Sequence, residues 1–155
     1  MKLLLMRHGD AVMLRPDANR PLSATGIAEV RANARRLAGR DWQPSHIIAS
    51  PLQRAAETAN LIAASLACDG GITSWPALSP AGASVDVLAL LLAYEQAEPG
   101  FACPLLVTHQ PFIGDFIEYL TAKVCMMHTA SIAAIELDLG SPHESELIWL
   151  LDAHG

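Results

Sequence analysis

Short apolar runs alternate with longer amphipathic stretches along this chain. Lys2-Leu3-Leu4-Leu5-Met6 is too short for a helix and reads as a buried strand over residues 2–7. Residues 8–22 form a polar loop containing Pro16 and Pro21. Ser23 fits an N-cap, and Ile27, Val30, Ala34 and Leu37 recur at helical spacing, so a helix is predicted to about Ala38, with Gly39 suited to its end. Ile47-Ile48-Ala49 marks a second strand over 46–49. A helix is expected from Pro51 to Leu66, because a proline in the first turn lacks only an N–H that would have no partner there. Residues 67–83 are rich in Gly, Ser and Pro and read as a loop with a short edge strand near Ile72-Thr73. Further on, the pattern predicts a helix from Asp86 to Gln96, a strand over 104–108 and a helix from Pro111 to Thr121. Two closing strands, 131–138 and 145–151, flank Gly140-Ser141-Pro142 in a hairpin-like connection.

A β-α-β-α order implies a three-layer α/β/α sandwich: a mostly parallel central sheet with an antiparallel C-terminal portion. No repeat, low-complexity tract or linker interrupts it, so one domain is expected over residues 1–155. That length buries a sizeable core without disulfides or metal. The composition, 52% hydrophobic and 17% charged, excludes a disordered chain. A net charge of −6 argues against a general nucleic-acid binder. The three cysteines, Cys68, Cys103 and Cys125, have no paired metal spacing and read as free thiols of a cytoplasmic protein. The first apolar run is too short for a secretory signal, and the longest, Val87 to Tyr94, is too short to span a bilayer. A monomer is expected.

The chemistry starts where the first strand ends, at Arg7-His8-Gly9. Arginine offers a planar fork of donors that fits a phosphoryl group. Histidine offers a nucleophile or base near neutral pH. Glycine lets the backbone turn sharply and leaves room for a ligand. Open α/β sheets place their sites at such strand ends. Three residues alone are a weak signal, but Ser50-Pro51-Leu52-Gln53-Arg54-Ala55 follows the second strand and Leu105-Leu106-Val107-Thr108-His109 ends the third strand-like run on another histidine. Pro111-Phe112-Ile113-Gly114 then opens a helix. Two arginines and two histidines thus lie near strand ends or helix starts.

In this order the motifs resemble the histidine phosphatase superfamily, which also holds the phosphoglycerate mutases, and within it the small bacterial phosphohistidine phosphatases of the SixA type. The residues that carry the resemblance are Met6-Arg7-His8-Gly9-Asp10-Ala11, Arg20-Pro21-Leu22-Ser23 with Gly26, Ser50-Pro51 with Arg54-Ala55 and Thr58, Val107-Thr108-His109-Gln110-Pro111, and Thr129-Ala130-Ser131-Ile132-Ala133. The resemblance implies that His8 attacks phosphorus and becomes phosphohistidine, that Arg7 and Arg54 hold the phosphoryl oxygens, and that His109 bonds the same oxygens from the opposite side, adding positive charge if protonated. It implies neither metal nor cofactor, since cationic side chains neutralise the phosphoryl charge. It also implies a bacterial cytoplasmic setting and a phosphohistidine-bearing protein substrate such as a phosphorelay component.

Other residues keep two readings. Arg20 is either a further phosphate contact or a tie between its loop and the core. Gly9 either approaches the phosphate or serves the turn. Thr129 and Ser131 donate to the site or start a strand, the strand role being the simpler. Asp10 orients His8, acts as an acid, or caps a turn. His46, His128, His143 and His154 match no motif and are expected at the surface. Arg31, Arg35 and Arg36 read as a solvated helix face, and Met126-Met127 as packing.

One departure bears on substrate. Many relatives that cleave phosphate esters carry a central Glu or Asp as general acid, because an alkoxide leaves poorly without a proton. Trp75-Pro76-Ala77-Leu78-Ser79-Pro80 has no carboxylate, and Asp86 and Glu95 fall on the next helix. A phosphorylated imidazole leaves more easily, so the missing acid favours a P–N bond. Two rivals stand. One is a small-molecule phosphomonoesterase or mutase, which needs Asp10 or Asp86 near the bridging oxygen. The other is a non-catalytic phosphate-binding module. A metal site of His8, Asp10 and His109 is disfavoured, because neighbouring arginines repel a cation.

Overall fold

The computed structural model describes residues 1–68 and 70–153. Six strands form one sheet: β1 (Lys2–Arg7), β2 (His46–Ala49), β3 (Ile72–Ser74), β4 (Pro104–Thr108), β5 (Ile132–Glu136) and β6 (Glu146–Leu151). The sheet order is β3-β2-β4-β1-β5-β6. Its first four members run parallel, and β5 and β6 are antiparallel to their neighbours, which matches the mixed sheet expected from sequence. Four helices cover it: α1 (Ala24–Ala38), α2 (Gln53–Leu66), α3 (Ser84–Ala97) and α4 (Phe112–Thr121).

Alternation along β1 divides the core in two. Leu3 and Leu5 face one way, into a cluster with Val87, Leu91, Phe112, Phe116 and Leu120 from α3 and α4. Leu4 and Met6 face the other way, against Val30, Ala34 and Leu37 of α1 and Ala55, Ala59 and Ile62 of α2. A strand buried on both faces must read as an uninterrupted apolar run, and Leu3-Leu4-Leu5-Met6 does so.

Ser23 caps α1 by accepting the Gly26 N–H at 3.0 Å. Differences from the sequence pattern are local. Helix α2 starts at Gln53, not Pro51, because the Ser50 side chain takes the Leu52 N–H and delays the first turn. Helix α3 begins two residues early, at Ser84. Its apolar residues surround much of the helix, so periodicity marks its ends poorly. The loop over 8–22 contains a 3₁₀ turn (Asp17–Asn19) and an Ala11–Leu22 bridge. Among the described residues no helix is long and apolar enough to cross a membrane.

Candidate active site

Parallel pairing of β1 with β4 sets Arg7 beside Thr108, and the His8 N–H donates to the Thr108 carbonyl at 3.1 Å. The next residue of each strand is a histidine. Their rings lie 5.0 Å apart between centroids, tilted by 56°, with His8 7% and His109 1% exposed. Two residues more than a hundred positions apart thus meet at the C-terminal end of the parallel strands.

His8 Nδ1 lies 2.6 Å from the Gly9 carbonyl oxygen, which only accepts, so Nδ1 carries the proton and Nε2 keeps its lone pair. Burial, opposed by the Gly9 hydrogen bond and aided by the charges of Arg54, Arg7 and Arg20, lowers the His8 pKa to about 4. The imidazole is therefore neutral near pH 7, as a nucleophile must be.

Both arginines are anchored at their tips. Arg7 Nη1 donates to the Met127 carbonyl at 3.0 Å. Burial lowers its pKa, opposed by the charges of Glu29 and Asp10. Arg54, 4% exposed, gives Nη1 to the Asp17 main-chain oxygen at 3.0 Å and Nη2 to the Asp17 carboxylate at 3.1 Å. The Nε–H of each arginine is buried without a partner, as is His109 Nδ1. Ser131 Oγ, also unpartnered, stands on the residue whose carbonyl accepts the Arg7 N–H. Buried polar atoms are rarely left unpaired, and four of the five such atoms among the described residues belong to these neighbours. Arg7, Arg54 and His109 all lie near His8, so their unpartnered N–H donors and its free Nε2 lone pair make a socket suited to a tetrahedral oxyanion.

His109 Nε2 lies 2.7 Å from Ser50 Oγ. Ser50 already accepts the Leu52 N–H at 3.2 Å, so its own hydrogen is free to point at Nε2. His109 then keeps its proton on Nδ1, facing the unpaired side. Burial lowers its pKa to about 3, helped by His8 and Arg54 and opposed by Asp17. His109 is therefore neutral near pH 7 and contributes a hydrogen bond rather than a charge.

Arg20 spends its donors on the Val12 carbonyl, Asp17 Oδ1 and the Ala11 carbonyl, at 3.0, 3.2 and 3.4 Å, so the loop-tying role describes its contacts. Its charge still reaches His8. Gly9 has no left-handed backbone angle; its constraint is space, since a Cβ there would come within 2.8 Å of the Gly26 carbonyl oxygen and of Val30. Its N–H donates to Thr58 Oγ1. Asp10 takes the Ser23 hydroxyl at 2.6 Å and the Ser23 N–H on its carbonyl, the turn-capping role. Thr129 donates to Glu29, and Ser131 directly precedes β5. Asp86 is exposed in the first turn of α3.

Pattern reading missed Asp17, Ser50 and Glu29 as supports. Glu29 Oε1 accepts the Asp10 N–H at 3.0 Å and the Thr129 hydroxyl at 3.1 Å. The signal available was a carboxylate and an amide, Glu29 and Asn33, among the apolar positions of α1, where both are buried. His128 and His143 are exposed, but His46 is half-buried, its ring 4.9 Å from Phe101. His154 lies outside the described residues. Met127 is buried as packing whereas Met126 is 73% exposed, and Arg36 is not wholly solvated, since it bonds the Asn33 side chain and the Asp152 carbonyl. Among the described residues no group of three His, Cys, Asp or Glu could hold a metal ion.

Comparison with known proteins agrees with this geometry. Residues 3–79 match the family model of the histidine phosphatase superfamily (branch 1). The chain is 34% identical to the phosphohistidine phosphatase SixA of Escherichia coli (strain K12), over 89% of this chain and 86% of the relative. It superposes on a protein histidine phosphatase SixA complexed with tungstate with a TM-score of 0.89 and 28% identity, covering 99% of this chain and 98% of that one. A putative phosphohistidine phosphatase SixA from Agrobacterium tumefaciens shares the fold at a TM-score of 0.78 and 22% identity, covering 97% of both chains. A mycobacterial glucosyl-3-phosphoglycerate phosphatase shares it at 0.73 and 19%, covering 95% of this chain and 96% of that one. The chain belongs to the histidine phosphatase superfamily, and phosphatase chemistry is what its paired histidines and arginines support.

Proposed function

We propose that this protein removes the phosphoryl group from phosphohistidine on a protein, through a covalent intermediate on His8. His8 Nε2 attacks phosphorus in line; the P–N bond to the leaving imidazole breaks, and that nitrogen takes a proton. Arg7 and Arg54 hold the equatorial oxygens through their unpaired edges, and His109 donates from Nδ1. Water then attacks phospho-His8, releasing inorganic phosphate and restoring neutral imidazole. Cationic and neutral donors carry the charge, so no step calls for a metal. The observation that carries this reading is the socket: His8 Nε2 free beside the unpartnered Arg7 Nε, Arg54 Nε and His109 Nδ1.

The leaving group follows from the carboxylates. Asp17 is the acid on the socket's edge, and hydrogen bonds from Arg20 and Arg54 hold its pKa below the usual range, so it is ionised at neutral pH and cannot protonate an alkoxide. Asp10 accepts from Ser23. An imidazole leaving group needs no such acid. The likeness to a protein named phosphohistidine phosphatase supports the same substrate class; the substrate we take to be a phosphorelay component in a bacterial cytoplasm, with the enzyme acting as a monomer.

The test is a comparison of initial rates for wild type and His8→Ala, on a histidine-phosphorylated protein and on p-nitrophenyl phosphate, without added metal. Expected is much faster cleavage of phosphohistidine, abolished by His8→Ala. Equal or faster ester cleavage transfers the reading to a small-molecule phosphomonoesterase. Tight phosphate binding without turnover of either substrate makes the protein a binding module.

A further inference from the structure

His8 and His109 are buried and form the floor of the socket; Asp17, its side chain 64% exposed, stands at the rim. Arg54 links the two levels. Its Nη1 donates to the Asp17 main-chain oxygen at 3.0 Å and its Nη2 to Asp17 Oδ2 at 3.1 Å, while its Nε–H has no partner. An oxyanion on that Nε and the Asp17 carboxylate therefore lie one guanidinium's width apart. The field of Asp17 also reaches His109.

This carboxylate is held but not filled. Arg20 Nη1 donates to Oδ1 at 3.2 Å, and Arg54 Nη2 takes one site on Oδ2. A carboxylate offers about four lone-pair sites, so each oxygen keeps one for a further donor. The two arginines offset its charge at long range. What remains is local: a fixed acceptor, kept ionised by the same two hydrogen bonds. Neighbouring carboxylates are placed differently. Glu29 is buried and takes the Asp10 N–H and the Thr129 hydroxyl. Asp10 is bonded to Ser23 at the cap of α1, not to an arginine of the socket.

We propose that Asp17 accepts a hydrogen bond from the second ring nitrogen of the substrate phosphohistidine, the one not bonded to phosphorus. The proposal rests on the function argued above and adds a residue that serves the leaving group. In-line attack by His8 puts the departing nitrogen on the far side of phosphorus, towards the rim. Without a proton on the ring, the P–N electron pair would be left on an imidazolide anion. With the second nitrogen protonated, the pair stays on the departing nitrogen and neutral imidazole leaves. Its proton then exchanges between the ring nitrogens through solvent. A hydrogen bond to Asp17 favours the protonated ring. The reaction thus needs an acceptor that stays ionised rather than an acid. An ester leaving group has no such N–H to offer, so the same residue favours P–N over P–O bonds.

Asp17→Asn keeps the size of the side chain and removes the ionised acceptor. Rates of wild type and variant are compared on a protein phosphorylated on histidine with phosphoramidate, and on p-nitrophenyl phosphate, whose leaving group departs without a proton. The ratio of kcat/KM on the first substrate to that on the second should fall about tenfold. The alkaline limb of the phosphohistidine pH profile should move about one unit lower, because the bound ring loses its proton earlier. His8 and His109, at about 4 and 3, titrate on the acid side, and the charged groups bonded to Asp17 are Arg20 and Arg54, so that limb reports the substrate. Asp17→Glu should restore much of the ratio. Equal loss on both substrates with the limb unmoved would make Asp17 only the anchor of Arg54 and overturns the proposal, as does no change on either. Where the ester turns over too slowly for a ratio, the limb alone decides. If wild type leaves phosphohistidine intact, the functional reading itself fails and this assignment with it.

Discussion

His8 and His109 sit ring to ring in a buried space and need different proton placements, which two neighbours set. The Gly9 carbonyl fixes the proton of His8 on Nδ1, and Ser50 directs that of His109 to the other side of its ring. Ser50→Ala removes the second constraint without touching His8. The lost hydrogen bond is worth about 1 kcal/mol, so kcat should fall roughly fivefold with KM little changed, and Ser50→Thr should recover most of it. Steady-state kinetics on a phosphohistidine substrate checks this; a large KM rise at constant kcat would instead make Ser50 a substrate contact. The sequence exposes His8 and His109 because each ends an apolar run. It does not expose Ser50 as a tautomer setter, nor Asp17 as the anchor of Arg54. Those roles exist only once partners 59 and 37 positions apart are folded together.

At the scale of elements, the first turn of α1 packs directly on the loop that carries His8. A Cβ on Gly26 would fall 2.0 Å from the Asp10 carbonyl oxygen and 2.8 Å from its nitrogen, both backbone atoms that no rotamer change can move aside. Gly26→Ala should therefore cost more than an ordinary overpacked site, about 3 kcal/mol or above. The activity of the surviving folded enzyme should fall too, because Asp10 cannot shift without moving Gly9 and His8. Urea unfolding monitored beside phosphatase rate tests both parts, and a variant stable to within 0.5 kcal/mol of wild type, roughly the level of an innocuous surface change, would refute the close contact. Periodicity located α1 correctly and named Val30, Ala34 and Leu37 as its inner face, but could not say what that face meets. Gly26, Glu29 and Asn33 lie among those apolar residues for reasons of contact: Gly26 for proximity, Glu29 to take the Asp10 N–H, and Asn33 to donate to the Ala130 carbonyl at 2.7 Å. Strand positions were more legible, because a sheet covered on both faces demands unbroken apolar runs. The boundaries of α2 and α3 were less so, since side chains such as Ser50 decide where a helix begins.

For the molecule as a whole, burying two neutral histidines beside arginines ties stability to pH. Burial first, then Arg54, Arg7 and Arg20, take His8 to about 4, and burial with His8 and Arg54 takes His109 to about 3, against 6.5 for a free imidazole. Above pH 6.5 both rings are neutral in the folded and unfolded chains, and their full contribution is present. Below it the unfolded chain binds protons that the folded chain refuses, so stability falls with pH until the folded values are reached. His8 alone should account for a loss of roughly 3 kcal/mol between pH 7 and pH 4. His8→Asn, which titrates nowhere in that window, isolates this share from that of the carboxylates: its unfolding free energy should decline less steeply on acidification than that of wild type. Sulfate supplies the converse arm, being a dianion throughout this range. Bound in the socket it favours imidazolium, so its affinity should rise as pH drops from 7 to 5, with proton uptake measurable by calorimetry in buffers of different ionisation enthalpy. Parallel acid limbs for wild type and His8→Asn, together with sulfate affinity independent of pH, would mean that His8 is already protonated before an anion binds. A histidine in that state has no lone pair on Nε2 to offer phosphorus.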